Sequence, residues 1–300
     1  MLRLFKALAV VGISITVWLQ PAAGATAPMQ YTYPPPESGS DVRMQFYWDV
    51  LQLALEETRP KWGPFQMQPA PKVMTPARAE MQLSNSQDIS VMARTTSQER
   101  ERKLLPIRLP LDKGLTGYRL FLIKEVNQPA FSGIRSTSEL RQFTIGQAAN
   151  WIDVDILRNA GLEVVTAPTY ESLFPMLSAG RYDLFSRGVN EISAELASNI
   201  GSYPDLAVER KLLLYYPLPR YFFFTRSPEG EKLAQRVEEG LKLLMRNGKF
   251  QKRYLVFKKS ILADLSLSGR RVIRISNPTL SPETPLADKE LWDTLETELR

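Results

Sequence analysis

Apolar and polar positions along the middle of the chain switch between two periods. Residues 143–146 form a short apolar run of strand length. Residues 152–159 put Ile152, Ile156 and Leu157 on one side of a helix that Gly161 stops. A second strand is predicted over residues 162–166. Thr169 then caps a second helix with Leu173, Met176 and Leu177 as its apolar stripe, ended by Gly180. A third strand starts at Leu184, just after Asp183. Short strands separated by helices require a parallel sheet, because parallel neighbours need crossover connections. Ligands of such sheets bind at the carboxyl ends of the strands. That brings two loops forward, residues 147–151 and 186–190.

The flanks are patterned less regularly. Residues 29–33 read as a strand that Pro34–Pro36 stop, with a turn over residues 37–41. Ser40 or Asp41 then caps a helix to about Glu57, whose inner face is Val42, Phe46, Val50 and Leu53. Residues 65–68 and 88–92 are strands on either side of a helix capped by Thr75. Residues 94–102 are polar and charged. Residues 104–109 and 118–123 are apolar and extended, separated by a turn at Lys113–Gly114. A helix over 192–199 follows, then extended runs at 212–216 and 221–225 on either side of Pro217 and Pro219. The clearest helix is 229–247, where Leu233, Val237, Leu241 and Leu244 recur at helical spacing before Gly248. A shorter helix over 250–257 and a strand over 271–276 come next. The remainder is Pro/Ser/Thr-rich and ends in a charged helix over residues 288–299. There is no internal repeat.

Composition narrows the chemistry more than the fold. Three hundred residues with 44% apolar content supply real cores. The chain has no Cys and no His. Imidazole bases, thiolate nucleophiles and His/Cys zinc sites are therefore excluded. Residues 1–25 carry Arg3 and Lys6, an apolar run over 7–19, and small residues from Ala22 to Ala25, the layout of a cleavable signal peptide. Its loss changes the net charge from +6 to +4. The basic residues are spread along the chain without an arginine-rich block, which argues against a nucleic-acid partner. A soluble, exported chain, periplasmic or secreted, is expected.

Four segments together resemble one family. Residues 177–183, LSAGRYD, are similar to a family pattern before a core strand. Residues 95–100, TTSQER, are similar to its "S-I-T-x-x-R" segment. Residues 241–254 look like its helix–Gly–helix ending, and residues 33–38, YPPPES, like the segment after its first strand. The chain thereby resembles the bacterial extracellular solute-binding proteins of family 3, the amino-acid-type branch of the type II periplasmic fold, over about residues 29–259. The resemblance implies an α/β fold of two lobes, with two mixed sheets, flanking helices and two extended hinge strands. Lobe 1 would be residues 28–118 plus 224–276, lobe 2 residues 124–216, with hinge segments 118–124 and 216–224 and a helical tail over 277–300. It also implies a non-enzymatic, monomeric protein without cofactor or metal. Such a protein holds a small solute in the interlobe cleft for a transporter permease or a sensor protein.

Carried over residue by residue, the resemblance puts Arg100 at the ligand carboxylate, Thr95 as a hydroxyl donor and Tyr33 as a stacking ring. A guanidinium suits a carboxylate because its donor fork matches both oxygens. Lobe 2 departs from the pattern. The turn at residues 147–151 lacks hydroxyls, leaving Asn150 as donor and Trp151 as floor or cap. Gly188 stands where an acid is expected, between Arg187 and Asn190. A cation there cannot pair an α-ammonium. The expected solute is therefore polar and anionic or neutral, in a positive field from Arg187 and Arg100, with Arg108, Lys113 or Arg119 adding to it. The alternative is a degenerate fold acting as an interaction or sensor module without a ligand. An exported lyase on the same fold is a third reading, with Glu191 as the one carboxylate near the cleft.

Overall fold

The computed structural model describes residues 27–36 and 43–300. The leader expected over residues 1–25 and the turn and helix cap expected at 37–41 lie outside these residues. Strands β1 (Met29–Tyr33) and β2 (Phe65–Pro69) pair in parallel. Thr32 hydrogen-bonds the run-in to β3 (Met92–Thr95) through the amides of Ser90 and Val91. Strand β3 and β4 (Leu105–Ile107) sit either side of a later antiparallel strand, Arg220–Phe224. Together these form the first lobe.

The second lobe is a seven-stranded mixed sheet. It contains β5 (Tyr118–Lys124), β6 (Thr144–Ala148), β7 (Glu163–Ala167), β8 (Leu184–Gly188), β9 (Leu206–Val208) and β10 (Leu212–Tyr215). The returning strand Arg220–Phe224 is β11, and β12 is Arg271–Arg274. Strand β6 pairs in parallel with both β7 and β8, as the strand–helix alternation requires. Strand β5 lies in the middle, antiparallel to β8, β9 and β10. Its side chains alternate between two cores. Leu120 and Leu122 join one that also contains Tyr31, Leu51 and Phe185. Phe121 and Ile123 join the other. Burial on both faces is why residues 120–123 are apolar without alternation.

Three expectations are corrected. Residues 118–124 do not simply span the lobes, because they are built into the larger sheet. The crossing is made beside Gly117, whose carbonyl accepts the Tyr216 amide. A Cβ on Gly117 would stand 2.1 Å from the Tyr216 carbonyl oxygen, so the two crossings touch backbone to backbone. Strand β12 was grouped with lobe 1, but it pairs in parallel with β10, extending the second-lobe sheet. A parallel partner can come from anywhere in the chain, so local pattern could not assign it.

The third correction is the tail. Residues 288–299 form two separate single turns, Lys289–Leu291 and Glu296–Leu299, with Leu295 between them at φ 52° and fully buried. Tertiary contacts outweigh the helical charge pattern here. The segment after β12 returns along both lobes. The Asn277 amide donates to the Pro217 carbonyl, the Gln98 amide to the Thr279 carbonyl, and Ser281 to Glu101. Trp292 covers Gly114 and donates to the Pro285 carbonyl. The Asp293 carboxylate accepts from Tyr254, Lys258 and the Leu295 amide, and its carbonyl accepts from Tyr118. No helix among the described residues is long and apolar enough to cross a membrane.

Candidate functional site

The carboxyl ends of β6 and β8 lie near the start of β11, where residues of both lobes share one buried core. Arg187, on β8, is 6% exposed. Its fork donates to both oxygens of Glu195 at 2.5 Å, and it lies 3.0 Å from Glu191. Its guanidinium sits 4.5 Å from the Trp151 ring centroid and also faces Tyr170 and Phe185. A flat, weakly hydrated cation packs favourably on such rings. Arg119, on β5, is equally buried and pairs with Asp153, which also accepts from the Tyr216 hydroxyl. Burial works against the Arg119 charge, and Asp153, Tyr216 and Glu191 outweigh it and raise its pKa.

Glu191 joins these pairs. Its Oε2 lies 3.0 Å from Arg187 and 3.6 Å from Arg119, and accepts the Gly188 amide at 3.2 Å. Burial alone would raise its pKa. The guanidiniums of Arg187, Arg119 and Arg220, with the Gly188 amide, overcome this and hold it at about 2. A Cβ on Gly188 would meet Asn190 Oδ1 at 2.5 Å, then Glu191 and Arg119. A side chain at this position would require Asn190 to shift.

Arg220 faces the cluster from the first lobe. It is opposite Thr95 in register and 4.9 Å from the Tyr47 ring centroid. It donates to the Ala93 carbonyl at 3.4 Å, and its Nε has no partner. Among the described residues no carboxylate lies within 4.0 Å of it. Beneath Tyr47, buried Asp112 accepts from the Tyr47 and Thr116 hydroxyls and the Gly114 amide. Around the same space Gln147 Oε1, Ser186 Oγ, Asn190 Oδ1 and Arg119 Nε are buried without a hydrogen-bond partner. Buried polar atoms are seldom left so.

The sequence-derived residues divide. Trp151, Arg187 and Asn190 come together in the second lobe. Tyr33 stacks on Trp48, ring centroids 4.5 Å apart, at the end of β1. Thr95 is half-buried, and its carbonyl is occupied by Arg100. Arg100 itself turns to Glu80 at 2.9 Å, so its fork is engaged inside the first lobe. Asn150 is exposed on the turn after β6. Arg108 pairs with Glu101, and Lys113 lies over Tyr254, both away from the cleft. The positive field expected of Arg187 is neutralised by Glu191 and Glu195. Sequence reading passed over Arg220, Asp153 and Glu195, and named Arg119 only among several cations. Arg220 follows Pro219 directly, three residues after Pro217, and that proximity to a crossing was the available signal.

Two surface depressions share no lining residue with this cluster, one of about 350 Å³ beside Leu255, Lys259 and Leu262, the other of about 470 Å³ beside Leu196, Ile200 and Val208. No group of three or more His, Cys, Asp or Glu among the described residues is placed to hold a metal ion.

No protein-family model and no curated protein sequence matches the chain. Solved structures do. An ancestral arginine-binding protein bound to arginine aligns with a TM-score of 0.53 at 16% identity, over 78% of this chain and 99% of that one. A Streptococcus mutans structure described for glutathione import aligns at 0.52 and 16% identity, over 79% and 96%. A histidine kinase sensor domain with similarity to periplasmic binding proteins aligns at 0.51 and 14%, over 77% and 95%. Strand order, flanking helices and these likenesses agree: the chain has the two-lobed α/β fold of the amino-acid-type periplasmic binding proteins.

Proposed function

We propose that this protein is an exported, non-enzymatic solute-binding protein that captures a small anionic solute between its lobes and presents it to a transporter permease or a sensor. The observation that carries this is Arg220, a half-buried guanidinium facing the cleft with an unpartnered Nε and no described carboxylate within ion-pair distance. Buried charges need compensation, and an anion supplies it. The unpartnered atoms of Gln147, Ser186 and Asn190 add polar capacity for the rest of a solute. An ordinary α-amino acid fits poorly, because Asp153, Glu191 and Glu195 are already held by guanidiniums and Asp112 by two hydroxyls and an amide. The likenesses to binding proteins and to a sensor domain support both kinds of partner.

Thermal-shift titration of the mature protein with amino acids, dicarboxylates and phosphorylated metabolites tests the reading. At least one anion raises the melting temperature, and Arg220→Met abolishes that rise while the protein stays folded. If none does, solute capture fails. One observation favours the interaction-module reading in that event: the tail bonded to both lobes restrains the opening that a solute needs.

A further inference from the structure

We infer that Glu191 is an internal occupant of the anion subsite, a carboxylate of the protein standing where the solute's anionic group binds. This deepens the solute-capture reading and rests on it for the word solute. The pairing within the second lobe points to it. Within the second lobe, Arg187 is neutralised by the two oxygens of Glu195, and Arg119 by Asp153. Those two arginines need no third carboxylate. Glu191 is the third carboxylate on these two arginines, and Arg220 acts on it from the first lobe at longer range. Removing the Glu191 carboxylate takes one acid away from Arg187, Arg119 and Arg220, the three arginines that hold it ionised.

The surroundings of Glu191 are those of a bound carboxylate. Its Oε2 receives two guanidiniums and one backbone amide, at 3.0, 3.6 and 3.2 Å. Charge-assisted donors of this kind recognise a free carboxylate equally well. Its accessibility also differs from that of its neighbours. The Glu191 side chain is 20% exposed, whereas Arg187 and Glu195 are each 7% and Arg119 is 4%. It is the member of the cluster that a dissolved anion reaches and displaces. Gly188 brings its amide to the carboxylate because it has no Cβ to push Asn190 and Glu191 away. The unpartnered Ser186 Oγ, Gln147 Oε1 and Arg119 Nε, on residues at most 4% exposed, lie beside the same strand ends. A solute therefore competes with Glu191 for its guanidiniums.

The test replaces the internal carboxylate with a dissolved one. Glu191 precedes the helix Ile192–Asn199 at its N-cap position and makes no cap there. Glu191→Ser installs a favoured cap residue and guards against misfolding, while Glu191→Ala gives the larger gap. Acetate at tens of millimolar, with ionic strength held by chloride, raises the melting temperature of both variants by about 2–4 °C and leaves the wild type unmoved. If the variants are indifferent to acetate, or the wild type rises equally, the inference is wrong. Rescue of the variants alongside a wild type that answers no solute keeps the subsite and removes solute capture. A solute that binds the wild type without any acetate rescue does the reverse.

Discussion

At the scale of single residues, position across the cleft decides what each arginine does. Arg100 has the sequence context of a ligand-binding arginine, yet Glu80 lies close enough to take its fork. Arg187 sits on a strand end as expected but is closed off by Glu195 and Trp151. Arg220, in an unremarked dipeptide after Pro219, is left to face the cleft. The same cluster fixes a pH response. Glu191 is held at about 2 against an ordinary value of 4.5, so the unfolded chain takes up its proton first on acidification. The stability it contributes is complete above about pH 4.5 and disappears as pH falls towards 2. Denaturant midpoints measured from pH 6 to pH 2 should fall less for Glu191→Gln than for the wild type. Parallel curves would mean that the carboxylate is not held as described.

At the scale of elements, helices with a strong apolar stripe were legible and those shaped by contacts were not. The helix Pro228–Arg246 is within one residue of the span that Leu233, Val237, Leu241 and Leu244 predict, and Ser227 caps it. It packs on Gln45–Glu57 so closely that a Cβ on Gly240 would lie 2.2 Å from the Ala54 carbonyl oxygen. Arg236 on the same helix is fully buried and donates to Thr58 and to the carbonyls of Leu55 and Gly63. These bonds meet the exposed carbonyl end of the neighbouring helix. Gly240→Ala should cost about 1–3 kcal/mol, since helix backbones must separate. Equilibrium unfolding checks this, and an unchanged midpoint would show that the helices have room. The short strand Leu206–Val208 escaped sequence reading because three residues carry no period.

At the scale of the whole molecule, the segment after β12 is the feature that most changes the expected architecture. It runs from the second-lobe sheet past the Pro217 crossing to the first lobe, then returns to Tyr118 and to the loop at Ser268–Gly269. Two lobes joined by two short crossings open readily as hinged bodies. A third connection made of side-chain bonds resists that motion. Removing residues 277–300 exposes the pocket of Leu295 and strips the partners of Lys258 and Tyr254. The melting temperature should drop by roughly 5–10 °C, and hydrogen exchange at Gly117 and Tyr216 should quicken. Unchanged exchange at those two amides would mean that the tail does not restrain the crossings.

What the sequence determined by itself is what depends on neighbours in the chain. The parallel β6–β7–β8 unit, the helix Ile192–Asn199 and the two-lobed fold class all follow from local period and motif order. The tertiary structure decided everything that rests on partners far apart in sequence. It set β12 beside β10, unwound the expected tail helix, turned Arg100 to Glu80, and brought Arg220 within electrostatic reach of Glu191. Hydrophobic period reports which face of an element is buried. Charge pairing depends on distances between elements, and those distances exist only once the chain has folded.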